Sequence, residues 1–108
     1  CKKRGFGLII IVEEMKKFRE LLDQNKIEWI DDSEALDTEL YICRTHPKNH
    51  ERWSVTNGFG TYGGYSMWEK NEGLLEVMLD GEILGHCKAE EAYKLVKIIE
   101  WDEGNIKI

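Results

Sequence analysis

The stretch WSVTNGFGTYGGYSMW, residues 53–68, decides between two folds. Its centre, GFGTYG at Gly58–Gly63, has the G-x-G-x-x-G spacing of nucleotide-binding loops. A dinucleotide loop needs a strand before it and a helix starting inside it, because the helix N-terminus holds the pyrophosphate. Here WSVTN supplies the strand, but YSMW follows the glycines and reads as a further strand, not a helix. A kinase-type loop does sit between strands, yet no V-A-I-K, H-R-D or D-F-G follows, and G-K-[ST] is absent. The stretch therefore predicts a β-hairpin whose glycines allow positive φ or close backbone approach.

Outward from that stretch the same pattern holds. KIEWID, TELYICRT and ERWSVTN are β-type runs, and the turn HPKNH between the last two carries the lone proline, Pro47. DSEALD is a polar loop. LLEVML and EILGHC flank Asp80-Gly81, a strong hairpin signal. At the ends, Met15, Phe18, Leu21 and Leu22 predict a helix over Glu13–Gln24, and Ala89, Ala92, Val96 and Ile99 predict a second one. Strands run together instead of alternating with helices, so the fold class is α+β. A single domain is expected, with four to six antiparallel strands and both terminal helices on one face of the sheet.

Composition narrows the function. In 108 residues, 42% are hydrophobic and 33% charged, the balance of a folded domain. The formal charge of −6 disfavours a phosphate backbone as partner and suits a basic one. Three cysteines, Cys1, Cys43 and Cys87, make no disulfide framework, so a cytoplasmic setting is expected. Residues 1–14, CKKRGFGLIIIVEE, pair a basic start with an apolar run far shorter than the ~20 residues of a membrane span. Met15-Lys-Lys-Phe reads as a bacterial opening, and Glu13-Glu14 as a translated ribosome-binding site. Residues 1–14 are thus expected to be an upstream extension and 15–108 the domain. Taken as native, GLIIIV would be a buried strand or the lead-in to the first helix.

A bland turn does not need aromatics interleaved with glycines. Trp53, Gly58, Phe59, Gly60, Tyr62, Tyr65 and Trp68 are therefore the candidate contact residues for a partner. Asp31, Asp32, Glu34 and Asp37 could add acidic contacts, although a solvated loop is their simpler role. A second constellation, Cys43, His46 and His50 with His86 or Cys87, has zinc-type ligands, but its spacing departs from paired-cysteine knuckles. No metal is assigned to it, and no cofactor. Cys–His catalysis lacks a persuasive dyad, since His86 and Cys87, adjacent on a strand, point to opposite faces. Arg44, Lys48 and Arg52 form only a small basic patch, so direct nucleic-acid binding is not expected.

MKKFRELLDQNKIEW, WSVTNGFGTYGG followed by GLLEVM, and the closing AEEAYKLVKII together resemble the small accessory proteins of phages and prophages of Gram-positive gut bacteria. The resemblance implies no activity and no site residues. It implies a neighbourhood in which some members bind host defence or nucleic-acid machinery. The expected function is non-catalytic binding of a host protein by an acidic, aromatic-bearing surface. Two alternatives stand beside it. One is a nucleotide-like ligand held between Trp and Tyr rings by N–H groups of Gly58–Gly64. The other is a zinc-stabilised module. A sheet edge or the aromatic surface would also let two copies pair.

Overall fold

The computed structural model describes residues 11–36 and 40–106, with side chains through Trp101. The first helix, α1, spans Glu13–Gln24 and buries Met15, Phe18, Arg19 and Leu22, a stripe at i, i+3, i+4 and i+7. Leu21, expected on that stripe, lies at its edge, and Arg19 holds the inward place. Val12 is extended at the N-cap, and its carbonyl accepts the Met15 and Lys16 N–H groups. Glu13 and Glu14 favour the positive end of the helix dipole. The helix stops because Lys26 turns left-handed (φ 60°), letting the Ile27 N–H reach back to the Leu22 carbonyl at 2.9 Å.

The strands that follow are β1 (Trp29–Asp31), β2 (Glu34–Ala35), β3 (Tyr41–Pro47), β4 (Trp53–Gly58), β5 (Leu75–Leu79) and β6 (Glu82–Cys87), and α2 (Ala89–Ile106) closes the order. They form one six-stranded antiparallel sheet in the order β1-β3-β4-β5-β6, with β2 also paired to β3. The α+β class, the antiparallel sheet and the two helices are as the sequence predicts. Three local readings change. DSEALD contains β2, because Glu34 and Ala35 pair with Ile42 and Tyr41. YSMW is not a strand: Tyr65 makes a single bridge to Phe59, and the chain then bends away. Residues 53–68 are therefore a strand and a folded loop, not a hairpin. Of the expected extension, residues 1–10 lie outside the described residues, as does Asp37. Ile11 and Val12 pack against the core, so the packed domain reaches back at least to residue 11.

Alternation sets the two faces of the sheet. Along β3, Tyr41, Cys43, Thr45 and Pro47 are buried, with Ile42, Arg44 and His46 between them on the other face. The register puts Thr45 opposite Val55, and Val55 opposite Val77. Both helices cover this face. Cys43, Val55, Leu75 and Val77 pack with Met15, Phe18 and Leu22 of α1 and with Ala89, Ala92, Val96 and Ile99 of α2. The Phe18 ring meets Trp53 edge-on at 6.0 Å. The helices start together, where the Glu14 carboxylate accepts the Ala89 N–H at 2.7 Å. Further along, the Glu100 carboxylate accepts the Trp53 indole N–H at 2.7 Å and sits 3.0 Å from His50 Nε2. On the opposite face Ile30, Met78 and Ile83 are exposed, and neither α1 nor α2 covers it.

Arg19 is 8% exposed and is satisfied from several sides. Its Nε donates to Thr45 Oγ1 at 2.7 Å, and Nη2 donates to the Arg44 carbonyl at 3.3 Å and faces Asp31 at 3.2 Å. The guanidinium also stacks 4.7 Å over the Trp29 ring. Partial burial would raise the Asp31 carboxyl, but hydrogen bonds from Ser33 and the Arg19 charge outweigh it and hold it below the usual carboxylate range. Arg19→Ala removes the group that Thr45 Oγ1, the Arg44 carbonyl and Asp31 share and is expected to destabilise the fold by about 1–3 kcal/mol, read by chemical denaturation. A loss under about 0.5 kcal/mol, the size of an ordinary surface change, would contradict this role for the buried guanidinium. Because the folded Asp31 is depressed, its contribution is present above the unfolded pKa and is lost as pH falls through the folded value. Asp31→Asn should therefore lose less stability than the wild type between about pH 5 and pH 2, and parallel acid titrations of the two would show it.

Candidate partner-binding site

Residues 59–74 link β4 to β5 as a folded lobe at one end of the sheet, and it is built on Asn57. That side chain is fully buried. Its Nδ2 donates to the Leu74 carbonyl at 2.7 Å, and Asn57 and Asn71 exchange amide hydrogen bonds of 3.0 and 2.8 Å. Asn71 Oδ1 then accepts the Gly73 N–H at 2.8 Å. On the other side of the lobe the Tyr41 N–H donates to the Tyr65 hydroxyl at 2.9 Å, and the two rings pack at a tilt, 5.1 Å apart. Burial pushes the Tyr65 phenol up. Glycine is required at Gly58 and Gly64 by contact. A Cβ would stand 2.5 Å from the Tyr41 carbonyl oxygen at Gly58 and 2.1 Å from the Gly58 carbonyl oxygen at Gly64.

Six backbone donors of the glycine segment are turned inward. Gly58 N–H donates to Thr61 Oγ1, Phe59 N–H to the Tyr41 carbonyl, and Gly60 N–H to the Tyr65 carbonyl. Thr61 N–H donates to the Gly58 carbonyl, Tyr62 N–H to Glu76 Oε1, and Gly64 N–H to the Thr61 carbonyl. A phosphate cradle needs these groups pointing at the ligand. The segment instead uses them to hold its own shape.

The expected contact residues separate into two sets. Trp53 lies in the core at 2% exposure, on the helix-covered face and away from the lobe. Its place follows from the alternation Trp53, Val55, Asn57, all three buried. Phe59 and Tyr65 are half-buried and pack together at 5.7 Å. Gly60 is exposed with a left-handed φ of 80°. Tyr62 is 58% exposed. It lies so close over Gly85 of β6 that a Cβ there would come within 2.2 Å of its own. Trp68 is 91% exposed and Met67 71%. Both stand on a tight turn in which Ser66 Oγ accepts the Trp68 and Glu69 N–H groups, each at 3.1 Å. Met67 went unnoticed in the sequence because its exposure depends on this turn.

The acidic residues are largely engaged. Asp31 faces Arg19, and Asp32 faces Arg44 at 3.6 Å and His46 at 3.5 Å. Glu34 is exposed on β2. The small basic patch is likewise neutralised, with Lys48 at 4.0 Å from Glu28 and Arg52 forked onto Asp80 at 3.2 and 2.9 Å. A cleft of about 330 Å³, lined by His46, Arg52, Ser54, Met78 and Asp80 among others, opens at the other end of the sheet.

The cysteines and histidines do not converge. Cys43 lies under the helices beside Arg19, while His46 faces the other side of β3. His50 meets Glu100, and His86 meets Glu72 at 3.4 Å on the surface. Cys87 is buried opposite Leu75. Burial pushes both thiols up, away from the nucleophilic thiolate form. Among the described residues no group of three or more His, Cys, Asp and Glu side chains is placed to hold a metal ion.

Asn57→Ala removes the buried amide that holds Leu74 and Asn71. It should cost about 1–3 kcal/mol and speed amide exchange in residues 58–74 more than in α1. Uniform exchange across the chain would show that the lobe has no stability of its own. Gly64→Ala should disturb the same segment, because two Gly58 backbone atoms and Thr61 Oγ1 would all lie too close.

No helix among the described residues is long and apolar enough to cross a membrane. No protein-family model, curated protein or solved structure matches this chain.

Proposed function

We propose that the protein is a non-catalytic interaction module that grips a basic protein partner through Trp68, with Met67 and Tyr62 as the other exposed large apolar side chains of the lobe. The observation that carries this reading is a tryptophan left 91% in water on a turn the protein has already fixed. Single exposed apolar residues are ordinary. An indole beside an exposed methionine on a pre-set turn is less so, because such aromatics are the usual anchors of interfaces. Pre-organisation removes part of the ordering cost of binding. The net charge of −6 would steer a basic partner and repel an acidic one.

The non-catalytic reading is supported by the two thiols, both buried and both held away from the nucleophilic form. The resemblance to phage accessory proteins suggests a bacterial host protein as partner, of the defence or nucleic-acid machinery. A nucleotide-like ligand is less well supported, since six of the N–H groups it would use are engaged within the protein.

The test compares wild type, Trp68→Ala and Trp101→Ala as bait in lysate of a Gram-positive gut bacterium. Trp101 is a second exposed tryptophan, on α2, and serves as the control. A partner that Trp101→Ala retains should bind Trp68→Ala at least about 30-fold more weakly, the size of a hot-spot loss of 2 kcal/mol. Folding should be unchanged in both variants, within about 0.5 kcal/mol. Equal capture by Trp68→Ala and wild type would remove Trp68 from the interface and overturn the reading.

A further inference from the structure

Two dipeptides in the chain carry the chemistry of spontaneous backbone rearrangement: Asn57-Gly58 and Asp80-Gly81. A glycine after Asn or Asp leaves the next backbone nitrogen unhindered, so that it can attack the side-chain carbonyl carbon. The fold treats the two sites very differently. Asn57 is fully buried in β4, its amide held by Leu74 and Asn71, and the Gly58 N–H is bonded to Thr61. Neither reacting atom can move. Asp80-Gly81 is the exposed two-residue turn between β5 and β6, with φ of 46° and 92°, left-handed at both positions as such turns require. A Cβ at Gly81 would meet nothing within 4 Å, so the turn stands in open space.

What restrains Asp80 is Arg52. Its guanidinium forks onto the carboxylate at 3.2 and 2.9 Å, and the Arg52 carbonyl accepts the Asp80 N–H at 2.9 Å. The fork fixes the orientation of the carboxylate and favours its ionised form. Hydrogen bonding by Arg52 indeed holds this carboxyl below its usual range. Both effects oppose attack, since the ring closes on a protonated carboxyl that is free to turn.

We propose that Asp80-Gly81 is the chain's site of spontaneous isoaspartate formation, and that the Arg52 fork is the device that keeps it slow. The Gly81 nitrogen bonds to Asp80 Cγ and loses its proton, and the carboxyl hydroxyl leaves with it as water, closing a succinimide. Water then adds back. Opening at the Asp80 backbone carbonyl carbon leaves the chain running through Cγ, as isoaspartate, and opening at Cγ restores aspartate. One water leaves and one returns, with no oxidant or reductant. The product carries an extra backbone carbon in a turn that has room for only two residues, so the pairing of Leu79 with Glu82 is lost. The carboxylate also leaves the cleft that it lines with Arg52.

The test ages wild type, Arg52→Ala and Arg52→Lys at physiological temperature and mildly acidic pH. Isoaspartate is then read in the tryptic peptide spanning 71–88 by electron-transfer fragmentation. Arg52→Ala should accumulate it several-fold faster than wild type. Arg52→Lys, which keeps the charge and loses the fork, should fall between them and decides the matter if Arg52→Ala fails to fold. The peptide carrying Asn57 should show no deamidation in wild type over the same period. Equal rates in wild type and both variants would overturn the role of Arg52. Deamidation at Asn57 ahead of any change at Asp80 would overturn the choice of site.

Discussion

A buried guanidinium constrains this fold more than any apolar contact. Arg19 sits where a helix of this pattern would carry leucine, and its charge cannot stay under the sheet unanswered. The answer comes from two strands: Thr45 and the Arg44 carbonyl on β3, and Asp31 and the Trp29 ring on β1. Packing alone would let α1 slide along a greasy face. Directional bonds to β3 fix its rotation and height, and the same side chain clamps β1 onto the outer edge. A three-residue strand such as β1 has little other hold on the sheet.

Polar groups play the corresponding part at the other ends of the molecule. Asn57 and Asn71 organise the lobe between β4 and β5, and Glu100 joins α2 to Trp53 and His50. Each is a low-exposure polar group whose partners come from distant parts of the chain. Satisfied in full, such networks select one arrangement among many similarly hydrophobic ones. The shape of the lobe follows from this. Its glycines let backbone come close to backbone, and its amides close the gaps, so the outer turn at Ser66 rests on a firm base.

What could be read from sequence divides along the same line. The stripes Met15–Phe18–Leu22 and Ala89–Ala92–Val96–Ile99, the alternation of β3 and the Asp80-Gly81 turn are local patterns, and each is where the sequence places it. The misread pieces are those whose state depends on distant partners. Tyr65 has the composition of a strand residue, but its hydroxyl is drawn to Tyr41 and takes the chain out of line. Glu34 and Ala35 become a strand only because β3 passes beside them. Trp53 is grouped with the loop aromatics by nearness in sequence, although the period-2 pattern of WSVTN already marks it as inward. Among the candidate contacts, Trp68 and Tyr62 emerge as surface and Phe59 as support, a sorting that needs the folded lobe.

The order of elements also has a consequence for how the chain is made. All six strands precede α2, and Ala92, Val96 and Ile99 of that helix cover Val55, Leu75 and Val77. As the polypeptide leaves the ribosome, the sheet can pair while half its apolar face still lacks a cover. Trp53 at that stage has no Glu100 to take its indole proton. The nascent domain thus passes through a sticky interval that ends only when α2 emerges and docks, and during it chaperones that meet nascent chains have a surface to hold.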